Sequence, residues 1–213
     1  MKIKAVHREF LYGLNKLGTN SMQSVGIPQF VSLINKAQIQ WAESFFPSKE
    51  INQVVTDRLN HLLVEADPNL SFKDNRYTFP VPKDYFHWSR FHAHTKECDS
   101  IVYGRFVEEG NINKLIQGAF TKPSAAWEEV LCTLFGNRVR VYVDGFTIGK
   151  PKFSYYRLPI EVDMAGYTKE DGTISLDVDL EFDGQNAHEI IDMAVRICAA
   201  NTGDIQRLQT SQK

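Results

Sequence analysis

The dipeptide Gly136-Asn137 most narrows the folds open to this chain, because the runs on either side of it read as paired strands. Upstream, Glu129 to Phe135 is a largely apolar run. Downstream, Val139, Val141 and Val143 alternate with Arg138, Arg140 and Tyr142. Alternation with period two marks a strand with one buried face, and a two-residue loop of this composition closes a hairpin. Whatever else the chain contains, it contains an antiparallel pair here.

The first third has a different period. Phe10, Leu14 and Leu17 share one face of a helix over Val6 to Leu17, with Gly18 as its C-terminal stop and a polar turn from Thr19 to Ser24. Pro28 opens a second helix, where Phe30, Ile34, Ala37, Trp41 and Phe45 form an apolar stripe that ends at Pro47-Ser48. Ser48 and Ile51 begin a third, with Val55, Leu59, Leu62 and Leu63 on its stripe and Asp67-Pro68 as terminator. Short connections between such helices make them antiparallel neighbours.

From Asn69 the texture turns to strands. Lys73-Asp74-Asn75, Pro80 and Pro82 mark turns, and Tyr85-Phe86-His87-Trp88 is an aromatic cluster in extended chain. Phe91 to Thr95 and Ile101 to Phe106 read as short strands, and Gly110 to Phe120 as a weak helix through Ile112, Leu115, Ile116 and Phe120. Phe153 to Val162 is a further strand, which Pro151 and Pro159 would confine to an edge. Ser175 to Phe182 alternates strictly, with Leu176, Val178, Leu180 and Phe182 on one face. A closing helix carries Ile190, Ile191, Ala194, Ile197 and Cys198, and Asn186 with Glu189 has capping-box spacing. The fold class is therefore α+β: an N-terminal helical bundle, a central antiparallel hairpin or small sheet, and a C-terminal helix. The division is residues 1–68 for the helices and 69–203 for the β-rich segment with its closing helix, packed as one domain with the first. A polar tail follows over 204–213.

Composition limits the function classes. With 213 residues, 43% of them hydrophobic and 23% charged, the chain can bury a core without disulfides. A formal charge of −2 and a pI near 6.3 argue against a surface that grips nucleic acid throughout. Cys98, Cys132 and Cys198 are far apart and odd in number, which reads as reduced thiols in a cytoplasmic setting. The charged start MKIKAVHREF has no apolar leader core, and no apolar run approaches the roughly 20 residues of a membrane span.

Chemistry-bearing residues are sparse. His87, His92 and His94, with Cys98 nearby, are the best metal candidates, His92 and His94 sharing a strand face. Their wide gaps, the lack of an acidic partner in register and three neighbouring aromatics favour a structural or surface role, and no metal is expected. Asp177, Asp179 and Glu181 project from one face of the alternating strand, and such carboxylates can hold a metal or run acid–base chemistry. The favoured reading is a solvated strand face, or one that meets basic residues such as Arg138 and Arg140 on a neighbouring strand or subunit. Nucleophile-elbow, P-loop, dinucleotide and zinc-protease motifs are missing. Tyr155, Tyr156 and Arg157 stand in a segment whose aromatics and arginine suit an interface. No cofactor is expected.

Three motifs in order carry a resemblance: Pro82-Lys-Asp-Tyr-Phe-His-Trp88, then Lys152-Phe-Ser-Tyr-Tyr-Arg-Leu-Pro159, then His188-Glu-Ile-Ile-Asp-Met-Ala-Val195. Over Pro80 to Ala200 the chain resembles the head–tail connector, or neck adaptor, proteins of tailed bacteriophages, and is most similar to the ring proteins of crAss-like phages. The strand Ser175–Phe182 is more acidic than that family's pattern. The resemblance implies a structural protein rather than an enzyme, with about twelve copies closed head-to-tail into a ring. That ring would sit in the virion neck beside the portal protein and other neck or tail proteins, after assembly in the host cytoplasm. Genomic double-stranded DNA would pass through its lumen without sequence readout, and no membrane is involved. Under the resemblance, Arg138, Arg140, Tyr155, Tyr156, Arg157, Asp177, Asp179 and Glu181 become subunit-interface candidates. Two alternatives stay open: another head- or tail-completion protein, and a small metal-dependent hydrolase using His92, His94, Asp177 and Asp179.

Overall fold

In a computed structural model of the chain, residues 1–16, 25–46 and 53–201 are described. The expected stop at Gly18, the turn 19–24, the Pro47-Ser48 break, the helix start at Ile51 and the tail 204–213 lie outside them. The chain divides into two compact units, Met1–His61 with Pro159–Lys213, and Leu62–Leu158. The boundary thus falls at residue 61 rather than 68, and the closing helix groups with the N-terminal helices. No described helix is long and apolar enough to cross a membrane.

The helical unit contains α1 (Ile3–Lys16), α2 (Ile27–Glu43), α3 (Gln53–Leu59) and α5 (Gly184–Asn201). Helix α2 opens at Gly26-Ile27-Pro28, where a first-turn proline loses no hydrogen bond. Its expected stripe is buried through Phe30, Ile34, Ala37 and Trp41. Helix α5 buries Ala187, Ile190, Ile191, Ala194, Val195 and Cys198, a helical stripe of small and β-branched residues. Phe10 and Phe30 meet at 5.3 Å between ring centroids, and Trp41 meets Phe182 at 5.1 Å.

The expected strand Ser175–Phe182 does not form. The segment is extended chain with isolated bridges only, Asp163 to Val178 and Thr168 to Ile174. Its alternation has another cause. Phe182 is a buried anchor against Trp41 of α2 and Leu180 is buried, whereas Leu176 stays 69% exposed. The strap from 159 to 183 is held by side chains of α2. Asn35 accepts from the Val162 N–H at 2.9 Å and donates to the Val162 carbonyl at 3.0 Å, and buried Gln38 donates to the Ile160 carbonyl at 3.0 Å. These bonds do the work a partner strand would do.

The β unit is larger than the hairpin or small sheet expected. Eight strands form one sheet in the order β1-β8-β4-β5-β6-β7-β3-β2: β1 (Leu63–Ala66), β2 (Ser71–Lys73), β3 (Arg76–Pro80), β4 (Tyr85–Thr95), β5 (Ile101–Phe106), β6 (Glu129–Phe135), β7 (Arg138–Tyr142) and β8 (Ile148–Arg157). All neighbours are antiparallel except β5 and β6. The β6–β7 hairpin closes as expected, Phe135 opposite Arg138, with Gly136 at φ 59 in the first loop position, where a side chain would be strained. Asp74 and Asn75 close β2–β3 at φ 53 and 57. Leu63, expected on a helical stripe, begins β1 instead.

Strand β8 is not an edge strand, since it pairs with β1 on one side and β4 on the other. Pro151 is tolerated because it falls in a bulge, between the pairs His92–Lys152 and His94–Gly149, and beyond the reach of β1. One face of the sheet holds the core, from Tyr77 and Phe79 of β3 through Val139, Val141, Cys132 and Val102 to Phe91, Phe153 and Tyr155. Inside it, a Cβ on Gly104 would come within 2.7 Å of the Cys132 sulfur. The other face is covered locally by α4 (Ile112–Gln117), whose Ile112 packs on Leu131 and Tyr142.

Candidate functional site

Most of the expected site residues are already occupied within the chain. Asp179 pairs with Lys2 at 2.8 Å and accepts the Ile3 N–H at 2.9 Å, and Asp177 pairs with Lys4 at 3.1 Å and accepts the Ala165 N–H at 2.8 Å. These contacts hold both carboxyls below their usual range, chiefly the Lys2 bond for Asp179 and the Ala165 amide for Asp177. Glu181 accepts the Ile160 N–H at 2.9 Å. The acidic row therefore braces the strap against the first turn of α1. Within one chain Asp179 and Asp177 are paired with Lys2 and Lys4.

Arg140 pairs with Glu109, and its guanidinium lies 3.6 Å over the Phe135 ring. Arg138 is exposed at the hairpin end. Tyr155 and Tyr156 are only 4% and 3% exposed, so they have almost no surface to offer a partner subunit. Tyr155 donates to Asp84 at 3.0 Å, and burial together with that carboxylate pushes its phenol up to about 12. Arg157 is half-buried and donates to the Leu158 carbonyl at 3.1 Å.

Among the described residues no group of three or more His, Cys, Asp or Glu side chains is arranged to hold a metal ion. His94 Nδ1 lies 3.2 Å from Asp99. His92 faces Tyr103 and Lys152 across the sheet, and burial pushes it below the ordinary imidazole value. Asp177 and Asp179, the carboxylates a hydrolase would need, are those tied to Lys4 and Lys2. Cys132 is buried in the sheet, which pushes its thiol far up. Cys98 is exposed, and the Ser100 and Thr95 hydroxyls, each 3.1 Å from its sulfur, push its thiol down.

Among the described residues the two most exposed aromatic side chains, Phe120 and Trp127, lie at and beyond the place where the sequence put the end of a helix. Helix α4 stops at Gln117, so Phe120 falls beyond it and is 81% exposed. Trp127 is 67% exposed, and the two rings stand 6.5 Å apart. Their loop is braced. Thr121 and Lys122 donate their N–H groups to the Gly118 carbonyl at 3.2 and 3.1 Å, and the Thr121 hydroxyl donates to Leu115 at 2.9 Å. Ser124 and Glu129 exchange backbone bonds at 2.9 and 3.0 Å, and Lys122 pairs with Asp144 at 2.7 Å. A braced loop presents its rings with little entropy left to lose on contact. In the helical unit, Ile174 and Leu176 of the strap are exposed in the same manner, at 76% and 69%. Sequence reasoning assigned Phe120 to a helix face and passed over Trp127; the one signal was a tryptophan outside any apolar period.

The sequence matches no protein-family model and no curated protein.

Proposed function

We propose that this chain is an assembly protein whose copies associate head-to-tail into a closed ring, and that the ring is a component of the neck of a tailed-phage virion. One observation carries the assembly half of this reading: the Phe120–Trp127 pair, held rigidly and left bare. Contiguous exposed aromatics mark interaction surfaces, and tryptophan is prominent among residues that dominate binding energy. The paired state of the acidic row agrees with it, since ion pairs inside the protomer leave the aromatic surfaces as the means of association. The phage half rests on the resemblance of the motifs at 82–88, 152–159 and 188–195, and the implied ring has about twelve copies. In that setting the work is mechanical: a lumen for genomic double-stranded DNA, closed between the portal and the tail.

Sedimentation velocity over a range of concentrations tests the surface. The chain as it stands should sediment as an oligomer, and Phe120→Ser with Trp127→Ser should shift it toward the protomer with its circular dichroism unchanged. Oligomers that survive both substitutions would rule out this surface as the contact.

A further inference from the structure

A cleft of about 390 Å³ opens between the β4–β5 turn and the start of β8, lined by His94, Thr95, Lys96, Asp99, Gly149 and Lys150. Its walls are tied to each other. Lys96 donates its N–H to the Thr147 carbonyl at 3.0 Å, and Thr147 donates its N–H and hydroxyl to Glu97 at 2.9 and 2.8 Å. Two residues lining it hold left-handed backbone without being glycine, Asp99 at φ 52 and Lys150 at φ 43. Strain of this kind persists where the surrounding structure enforces it, often at ligand sites.

The strained pair face each other. Lys150 Nζ lies 3.1 Å from Asp99 Oδ1, and His94 Nδ1 lies 3.2 Å from the same oxygen. The Asp99 carboxylate is thus an internal oxyanion held by an ammonium and an imidazole. Lys96, in contrast, has no carboxylate ion-pair partner among the described residues. The residues lining the cleft bring two lysines against one aspartate, and the nearby Glu97 carboxylate is taken up by the Thr147 N–H and hydroxyl. We infer that this cleft binds a small oxyanion of phosphate type, held by Lys96 and Lys150 beside His94. Charge-assisted bonds of this kind are the strong ones, and the inference is independent of how the chain assembles.

Titration calorimetry of the full chain with inorganic phosphate, at low ionic strength to limit screening, tests it. Saturable binding is expected. Lys96→Gln and Lys150→Gln should each weaken it about tenfold. Asp99→Asn, which removes the internal competitor, should tighten it, and Lys114→Gln on α4 should leave it unchanged. No saturable binding up to about 20 mM phosphate would overturn the inference. So would equal losses in Lys96→Gln and Lys114→Gln, which would mean diffuse attraction, or weakened binding in Asp99→Asn. A short DNA duplex that displaces the phosphate would identify the group as a nucleic-acid backbone phosphate. A duplex that does not displace it would identify a free anion.

Discussion

Phe79 of β3 and Phe153 of β8 meet at 5.4 Å between ring centroids, although β4, β5, β6 and β7 lie between their strands in the sheet. Five strand spacings would separate them by about 24 Å on a flat sheet. The sheet must therefore curl until its two halves face each other, and Phe79 also stacks on Phe91 at 5.9 Å. The concave face becomes the core of the β unit.

This closure makes Phe153, fully buried between the two halves, costly to remove. Phe153→Ala should destabilise the β unit by about 3–5 kcal/mol, read by urea unfolding of tryptophan fluorescence. Phe120→Ala, bare on its loop, should cost about 0.5 kcal/mol or less. Equal losses for the two would contradict the curled core.

Glu189 ties α5 to two other helices, accepting from the Trp41 indole at 2.9 Å and from Arg58 at 2.7 Å. Burial pushes its carboxyl up, but the Trp41, Arg58 and Gln185 bonds outweigh that and hold it below the usual range. Its contribution is accordingly present above the unfolded value of about 4.3 and fades as pH falls through the lower folded value. Glu189→Gln should cost about 1 kcal/mol at pH 7, after allowance for solvent screening. The gap between variant and parent should narrow as pH falls below about 4.3 and close once Glu189 is protonated in the folded chain. A gap that is constant with pH would show that the charge plays no part.

The strap depends on Asn35. Asn35→Ala removes both of its bonds to Val162 and should cost about 1–3 kcal/mol. Hydrogen exchange should show the Val162 amide losing protection, and limited proteolysis should open the chain between 163 and 176. Unchanged exchange at Val162 would show that the Asn35 bonds do not hold this part of the strap.

The β6–β7 turn needs a left-handed first residue. Gly136→Val should destabilise by about 1–2 kcal/mol, and Gly136→Asn by less, because Asn visits that region more readily. Thermal unfolding of the two variants reads the order, and a Val variant as stable as the Asn one would refute the turn assignment.

Much of this fold was legible because the signals were local. Gly136-Asn137 has its turn chemistry within two residues, and the stripe Phe30–Trp41 repeats within one helix. Ser175–Phe182 misled because alternation of apolar residues does not say what, if anything, those residues pack against; Leu176 is 69% exposed. Here Phe182 anchors on Trp41 of α2, and Asn35 and Gln38, far away in sequence, bond the strap backbone. Pro151 misled in the opposite sense: a bulge admits proline into an interior strand, and bulges depend on the pairing of β8 with β4. The acidic row could not be assigned from sequence alone, since Lys2 and Lys4 lie more than 170 residues from Asp177 and Asp179. The exposure of Phe120 and Trp127 was likewise hidden, because composition does not say which aromatics a core leaves out.

Electron microscopy of the purified chain tests the ring most directly. Closed annular particles with cyclic symmetry, about twelve protomers each, are expected, and they should disappear in the Phe120→Ser/Trp127→Ser variant. A monodisperse protomer at every concentration, or open filaments in place of rings, would contradict it.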